Sequence, residues 1–170
     1  MAMCWSLLRT FSAEFPSEPE QVFKETNEHI IADTKSSQFL TAFYGVLNPK
    51  TAELTYCNAG HVPPYLVRRN EEIGLIRTGM PLGVQADTKW EQKSISIEAG
   101  EILFLYTDGV TEGSNGVGEL YEEERLKSVL RSNRESNAED IISAVLGNLG
   151  EFTSEEPQSD DIATMVIKRG

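Results

Sequence analysis

Hydrophobic positions along the chain follow two periods in turn. Met3, Leu7, Leu8 and Phe11 recur at helical spacing, so the chain opens inside an amphipathic helix. No capping residue precedes that pattern, and the expectation is that the helix continues an upstream segment. Ser17-Glu18-Pro19-Glu20 then reads as a capping box with Pro in the first turn. The helix it opens carries Val22, Phe23, Ile30 and Ile31 and runs to about Asp33.

After residue 37 the period shortens. Residues 38–47 read as a strand buried on both faces for much of its length. Asn48, Pro49, Lys50 and Thr51 are turn residues, and residues 53–58 return as an antiparallel partner. Residues 59–64 break the pattern with Gly60, Pro63 and Pro64. Short strands follow over 65–68 and 73–77, with a polar turn at 70–72 between them and a loop at 78–83. Residues 93–97 alternate, turn at 98–100, and are expected to pair with the apolar run that ends at Asp108. Two helices are predicted over 122–132 and 137–152, the second opened by a capping box from Ser136 to Glu139. A mobile acidic loop over 153–159 leads to a final strand at 162–167.

This order predicts an α+β domain, a β-sandwich of mostly antiparallel strands flanked by helices. With 170 residues, the chain is expected to form one domain over 1–170.

Charge narrows the function classes. The formal net charge is -12 and the Lys and Arg residues are scattered, which argues against nucleic-acid binding. Glu122, Glu123 and Glu124, like Glu155 and Glu156, read as solvated surface. Cys4 and Cys57 are too few and too far apart for a zinc site or a disulfide framework, so a reducing cytoplasm is expected. No apolar run reaches the ~18 residues of a membrane span, and the N-terminus lacks the pattern of a signal peptide.

The candidate chemistry lies where apolar runs meet acidic residues. The run ending in Tyr106-Thr107-Asp108-Gly109 is a strand that breaks into a tight turn and leaves one carboxylate at the rim of a sheet. Asp-Gly is also ordinary turn chemistry; the flanking Thr111 and Glu112 lengthen the pattern, and Glu112 could support the loop or cap the next segment. Ser159-Asp160-Asp161 stands just before the last strand. Adjacent carboxylates repel each other, a cost that a bound divalent cation removes; a charged surface segment is the plainer alternative. His61, after Asn58-Ala59-Gly60, suits the fixing of an irregular turn more than catalysis. Gly79 and Gly83 permit a tight loop that could approach a site, or serve as punctuation.

Five segments then resemble the successive motifs of one family. They are Phe39 to Pro49, Tyr56 to Pro64, Gly79 to Val84, Leu105 to Glu112 and Ser159 to Ala163. The order and combination are similar to the metal-dependent PPM (protein phosphatase 2C-like) phosphatases, in the bacterial branch of SpoIIE and RsbU. The resemblance implies removal of phosphate from phosphoserine or phosphothreonine, often on anti-anti-sigma (STAS-like) proteins in partner-switching circuits. It also implies two Mn²⁺ or Mg²⁺ ions, with a water between them attacking phosphorus in line while the metals neutralise the phosphoryl oxygens. Carried over by motif, Asp108 and Asp160 are metal ligands, with Asp161 ranked second. Gly109, Glu112, His61 and Gly83 support the site, and no catalytic side chain is implied beyond the metal-bound water.

One departure matters. The family pattern begins with a Gly-Asp strand pair that supplies a bridging Asp, and then a second Asp ahead of the first helix. Asp33, Asp87 and Asp140 have no strand-turn context that could replace them. The expectations that follow are a domain without its first strands, an incomplete metal site, and weak or no turnover by the chain alone. An exposed sheet edge favouring self-association is expected too. The alternative reading is a non-catalytic, phosphatase-like binding module in sigma-factor or two-component regulation.

Overall fold

The computed structural model describes residues 2–34, 38–154, 156, 158 and 160–170, with the backbone alone for Ala2 and Met3. Four helices are present: α1 (Ala2–Glu14), α2 (Pro19–Thr34), α3 (Glu122–Ser132) and α4 (Ala138–Thr153). The strands are β1 (Ala42–Leu47), β2 (Glu53–Ala59), β3 (Tyr65–Val67), β4 (Glu72–Gly74), β5 (Lys93–Ser96), β6 (Ile102–Tyr106) and β7 (Thr164–Lys168). Every strand pair in the two sheets is antiparallel, which makes the fold α+β as the sequence predicts. Among the described residues, no helix is long and apolar enough to cross a membrane.

The chain divides into two compact units. The first comprises Met1–His61 and Ile76–Ser96. Its sheet has the order β1-β2-β5, and α2 packs on it through Val22, Phe23, Thr26, Asn27 and Ile30, all buried. That spacing lines one face of a helix. The core gathers Phe23, Ile30, Cys57, Leu82 and Trp90, with Leu7 and Leu8 of α1 against it. Phe23 meets Trp90 edge-on, their ring centroids 5.8 Å apart. Asn27 is buried but fully used: its Oδ1 accepts the Gly83 N–H at 2.7 Å and its Nδ2 donates to the Gln85 carbonyl at 2.9 Å.

The second unit comprises Val62–Leu75 and Ile97–Gly170. Its sheet runs β4-β3-β6-β7. β6 is central and has four of its five residues buried, and Phe104 packs with Val67, Tyr121, Leu126, Ile141 and Val145 in a core completed by α3 and α4.

Three expectations are corrected. β5 does not pair with β6. The turn at 98–100 does form, with Glu101 N–H donating to the Glu98 carbonyl at 3.0 Å, but β6 has both edges taken, by β3 and β7, and β5 pairs with β2 instead. The strand expected over 38–47 starts only at Ala42 and is half-buried, because β1 is an edge strand with a partner on one side. The cap of α4 is Asn137, not Ser136. Its side chain accepts the Asp140 N–H at 2.9 Å and donates to the Asp140 carboxylate at 2.8 Å, an N-cap one residue further on.

Candidate metal-binding segments

The candidate carboxylates all belong to the second unit. β6 ends at Tyr106, and the chain turns through a short 3-10 helix over Asp108–Val110. Asp108 is exposed at its start while Gly109 and Val110 are buried. The turn is held by the Asp108 carbonyl, which accepts the Glu112 N–H at 2.8 Å and the Thr111 hydroxyl at 3.2 Å. Glu112 is exposed and supports the turn through that backbone bond.

Asp160 and Asp161 are not at the mouth of a strand as expected; β7 begins only at Thr164. They sit in an irregular stretch that β6 holds in place. Thr107 N–H donates to the Ala163 carbonyl at 3.0 Å. The Thr107 hydroxyl donates to the Asp161 carbonyl at 2.7 Å and accepts the Ala163 N–H at 2.9 Å. Gly109 adds a close approach: a Cβ there would lie 2.7 Å from the Asp161 carbonyl oxygen and 3.1 Å from that of Asp160. The Asp161 N–H is accepted by Asp160 Oδ1 at 2.7 Å, and Gln158 Nε2 donates to the Asp160 carbonyl at 2.6 Å. Ser159 of the predicted motif, with Glu155 and Pro157 of the preceding loop, lies outside the described residues.

Asp108, Asp160 and Asp161 are all exposed, and none forms an ion pair among the described residues. A cavity of about 260 Å³ opens beside them, bounded by Gly109, Gly113, Leu149, Gly150, Thr153 and Ile162. Behind the turn, Tyr106 stacks on Tyr65, with centroids 6.0 Å apart and planes within 10°. The Tyr65 hydroxyl donates to Glu123 of α3, and Lys127 stands over the Tyr65 ring at 5.1 Å. Burial raises both phenols well above the usual tyrosine range, helped at Tyr65 by the Glu123 carboxylate. The strand that delivers Asp108 is thereby tied to α3.

Exposed carboxylate oxygens suit a hard divalent cation such as Mn²⁺ or Mg²⁺. The number of donors does not suit a pair of them: among the described residues, no three His, Cys, Asp or Glu side chains form a metal-holding group. The residues present therefore fit partial coordination of one cation, and no chemical step is derived through a second.

The other two predicted residues lie in the first unit. His61 is placed by its backbone. The buried Asn58 side chain accepts the His61 N–H at 2.9 Å and donates to the His61 carbonyl at 3.1 Å, so Asn58 is the residue that fixes this turn. Gly83 has a φ of +88°, and a Cβ there would lie 2.5 Å from the Gln38 carbonyl. It is a packing point beneath α2. Sequence reading missed two residues, Thr107 and Asn58. For Asn58 a signal exists, since Asn ahead of Gly commonly bonds backbone two or three residues on; for Thr107 none does, because its partners are more than fifty residues away.

Residues 1–170 match the family described as Stage II sporulation protein E (SpoIIE). The chain is 28% identical over 173 residues to the phosphoserine phosphatase RsbU of Bacillus subtilis, covering 99% of this chain and 51% of RsbU. It therefore spans about half the length of that relative. Its fold is similar to the SiaA-PP2C domain of Pseudomonas aeruginosa, with a TM-score of 0.87 and 18% identity over 99% of this chain and 68% of that one. It is also similar to the phosphatase domain of SpoIIE from Bacillus subtilis, presoaked with Mn, with a TM-score of 0.63 and 16% identity over 87% of this chain and 65% of that one.

Proposed function

Because the chain belongs to the SpoIIE family, within the PPM-type phosphatases, we propose that residues 1–170 form one phosphatase domain that removes phosphate from phosphoserine or phosphothreonine on a regulatory protein. The observation that carries this reading is the packing of Gly109 on the Asp160–Asp161 peptide, which joins two acidic segments far apart in sequence. RsbU is named a phosphoserine phosphatase, which supports the same chemistry here. The partner on this reading is an anti-anti-sigma-type protein with a STAS-like fold, in a partner-switching circuit of the cytoplasm.

Asp108 and Asp160 would hold a divalent cation, with Asp161 beside them. Such a cation supplies Lewis acidity toward phosphoryl oxygens and the attacking water. The chain's own part is positional. Thr107 and Gly109 fix the two acidic segments to each other, and the 3-10 turn keeps the Asp108 side chain in solvent, where a phosphoprotein can reach it.

The test is Mn²⁺-dependent release of phosphate from a phosphoserine protein. Release that falls at least ~100-fold in Asp108→Ala and in Asp160→Ala supports the reading, in line with the loss of a metal ligand's contribution to catalysis. Release that neither substitution lowers sinks it. A second reading, a binding module without turnover, draws on the small donor set among the described residues. Calorimetry separates the two: Mn²⁺ binding that Asp108→Ala and Asp160→Ala abolish favours the enzyme, and no Mn²⁺ binding, or binding that both variants keep, favours the module.

A further inference from the structure

The first unit contains a built cleft that the phosphatase chemistry does not use. Its volume is about 600 Å³ and its lining includes Arg77, Met80, Pro81, Gln85, Thr88 and Lys89. The loop that forms it is fixed from beneath. Trp90 Nε1 donates to the Met80 carbonyl at 2.9 Å, and the Thr88 hydroxyl donates to the Gln85 carbonyl at 2.9 Å. Glu91 N–H donates to the Thr78 carbonyl at 3.1 Å. Gly79 lies so close to the indole that a Cβ would be 2.5 Å from Trp90 Cδ1, so even Ala would displace the loop.

The character of this cleft is opposite to that of the chain. The net charge is -12, yet Arg77 and Lys89 are both exposed and neither forms an ion pair among the described residues. Between them the lining joins the apolar Met80 and Pro81 to Gln85 and Thr88, and Met80 is 44% exposed. An isolated exposed apolar residue is ordinary, but Met80 and Pro81 in one cleft with two cations that form no ion pair among the described residues make a surface that can recognise a ligand of matching pattern.

We propose that this cleft docks an acidic segment of a partner protein that carries Leu or Ile between its carboxylates, with Arg77 and Lys89 pairing the acids and Met80 and Pro81 covering the aliphatic side chain. That the partner is the substrate phosphoprotein rests on the proposed phosphatase function; the docking chemistry does not. Nucleic acid is the wrong occupant, because two cations cannot offset the repulsion of a phosphate backbone by a chain of this charge.

The experiment is fluorescence anisotropy in EDTA, without metal and without turnover, on the whole 170-residue chain. The probe is a fluorescein-labelled peptide of Asp, Glu and Leu. It is expected to bind, and Arg77→Glu to weaken binding about tenfold. Lys50→Glu, the same charge change at an exposed turn between β1 and β2, is expected to leave binding unchanged. Met80→Ser is expected to weaken binding, as is replacement of Leu by Ser in the peptide. Absence of peptide binding would overturn the proposal. So would equal losses in Arg77→Glu and Lys50→Glu, or binding of a single-stranded DNA oligonucleotide as tight as the peptide's. Phosphate release is measured separately, so peptide binding together with release that Asp108→Ala and Asp160→Ala do not lower removes the phosphatase reading and leaves the docking site standing.

Discussion

Thr107 and Asp161 are joined by a 2.7 Å hydrogen bond from the Thr107 hydroxyl to the Asp161 carbonyl. The Thr107 hydroxyl oxygen in turn accepts the Ala163 N–H at 2.9 Å. One small side chain thus completes both roles, donor and acceptor, between the end of β6 and the segment that carries Asp160 and Asp161. The segment has no ladder of its own until β7 begins at Thr164, so these bonds, with the packing of Gly109, hold its backbone beside the Asp108 turn.

Thr107→Val keeps the shape and removes both bonds. The expected cost is ~1 kcal/mol in a urea titration, since the site is partly open to water that can replace the lost partners. Faster hydrogen exchange at the Ala163 amide is expected as well. Thr107→Ser should restore both readouts. Equal protection of Ala163 in the Val and Thr proteins would show that the hydroxyl does not hold the segment.

Gly109→Ala tests the other join. The added Cβ meets backbone, 2.7 Å from the Asp161 carbonyl oxygen, so one of the two segments must move. An overpacking cost of ~1–3 kcal/mol is expected, together with weaker Mn²⁺ binding by calorimetry. Gly147→Ala in the middle of α4, where nothing lies within 4 Å, should leave Mn²⁺ binding unchanged and raise stability by ~0.5–1 kcal/mol, as Gly to Ala does inside a helix. If the two alanines behave alike, close packing at Gly109 is not what joins the acidic segments.

Local patterns carried most of the architecture, and long-range choices did not. The residues of α3, with its acidic first turn at Glu122, Glu123 and Glu124, are read from sequence because every cue lies within one turn of helix. The hairpin of β1 and β2 is legible for the same reason, its turn being marked by Asn48, whose side chain accepts the Lys50 N–H at 3.0 Å. The partner of β5 was not legible. The turn at 98–100 is real, yet whether it closes a hairpin depends on who occupies the edges of β6, and that is decided by Val67 and Ile167, far away in the chain. The α4 cap slipped by one residue because Ser136 and Asn137 are both good caps, and geometry alone selects Asn137. At the site, the motif pointed to Asp108 and Asp160, but what joins their segments, the Thr107 hydroxyl and the packing of Gly109 on the Asp161 carbonyl, depends on partners more than fifty residues away in the chain.

Asn58 offers a prediction in the first unit. Its buried side chain bonds both the N–H and the carbonyl of His61. Asn58→Ala removes both bonds, with an expected loss of ~1–3 kcal/mol in thermal or urea unfolding. His61→Ala leaves that pair of bonds intact and is expected to cost less. A larger loss for His61→Ala would mean that the imidazole, and not Asn58, organises the turn.

The Cys57 thiol is pushed up to about 12 from 9.0, chiefly by burial, with a nearby Glu20 carboxylate acting in the same direction. The folded state therefore keeps its proton where the unfolded chain loses it. Stability falls as pH rises from about 9 toward 12, and this group contributes no slope at lower pH. Cys57→Ala should flatten that part of the profile, whatever its effect on the plateau. At pH 8 the folded protein is expected to be alkylated by iodoacetamide at the half-buried Cys4 before Cys57. Modification of Cys57 first, as read by peptide mass mapping, would mean that its thiol is accessible and ionised in the folded chain.

The exposed carboxylates at Asp108, Asp160 and Asp161 have no cationic partner among the described residues, so no ion pair is lost when their charge is removed in the absence of metal, and the Asp160 Oδ1 that accepts the Asp161 N–H is kept in an Asn side chain. Asp108→Asn and Asp160→Asn are accordingly expected to unfold within ~0.5 kcal/mol of the parent in EDTA, as surface changes do. Mn²⁺ reverses that neutrality. A cation bound only by the folded state stabilises it by ~2.7 kcal/mol at a hundred times its dissociation constant, equivalent to several degrees in the melting temperature of a chain this size. The parent protein should show that rise, and each Asn variant should lose most of it, because one neutral amide oxygen is a poor replacement for a charged ligand. A rise retained in full by both variants would place the cation elsewhere on this acidic surface and remove Asp108 and Asp160 from the metal site.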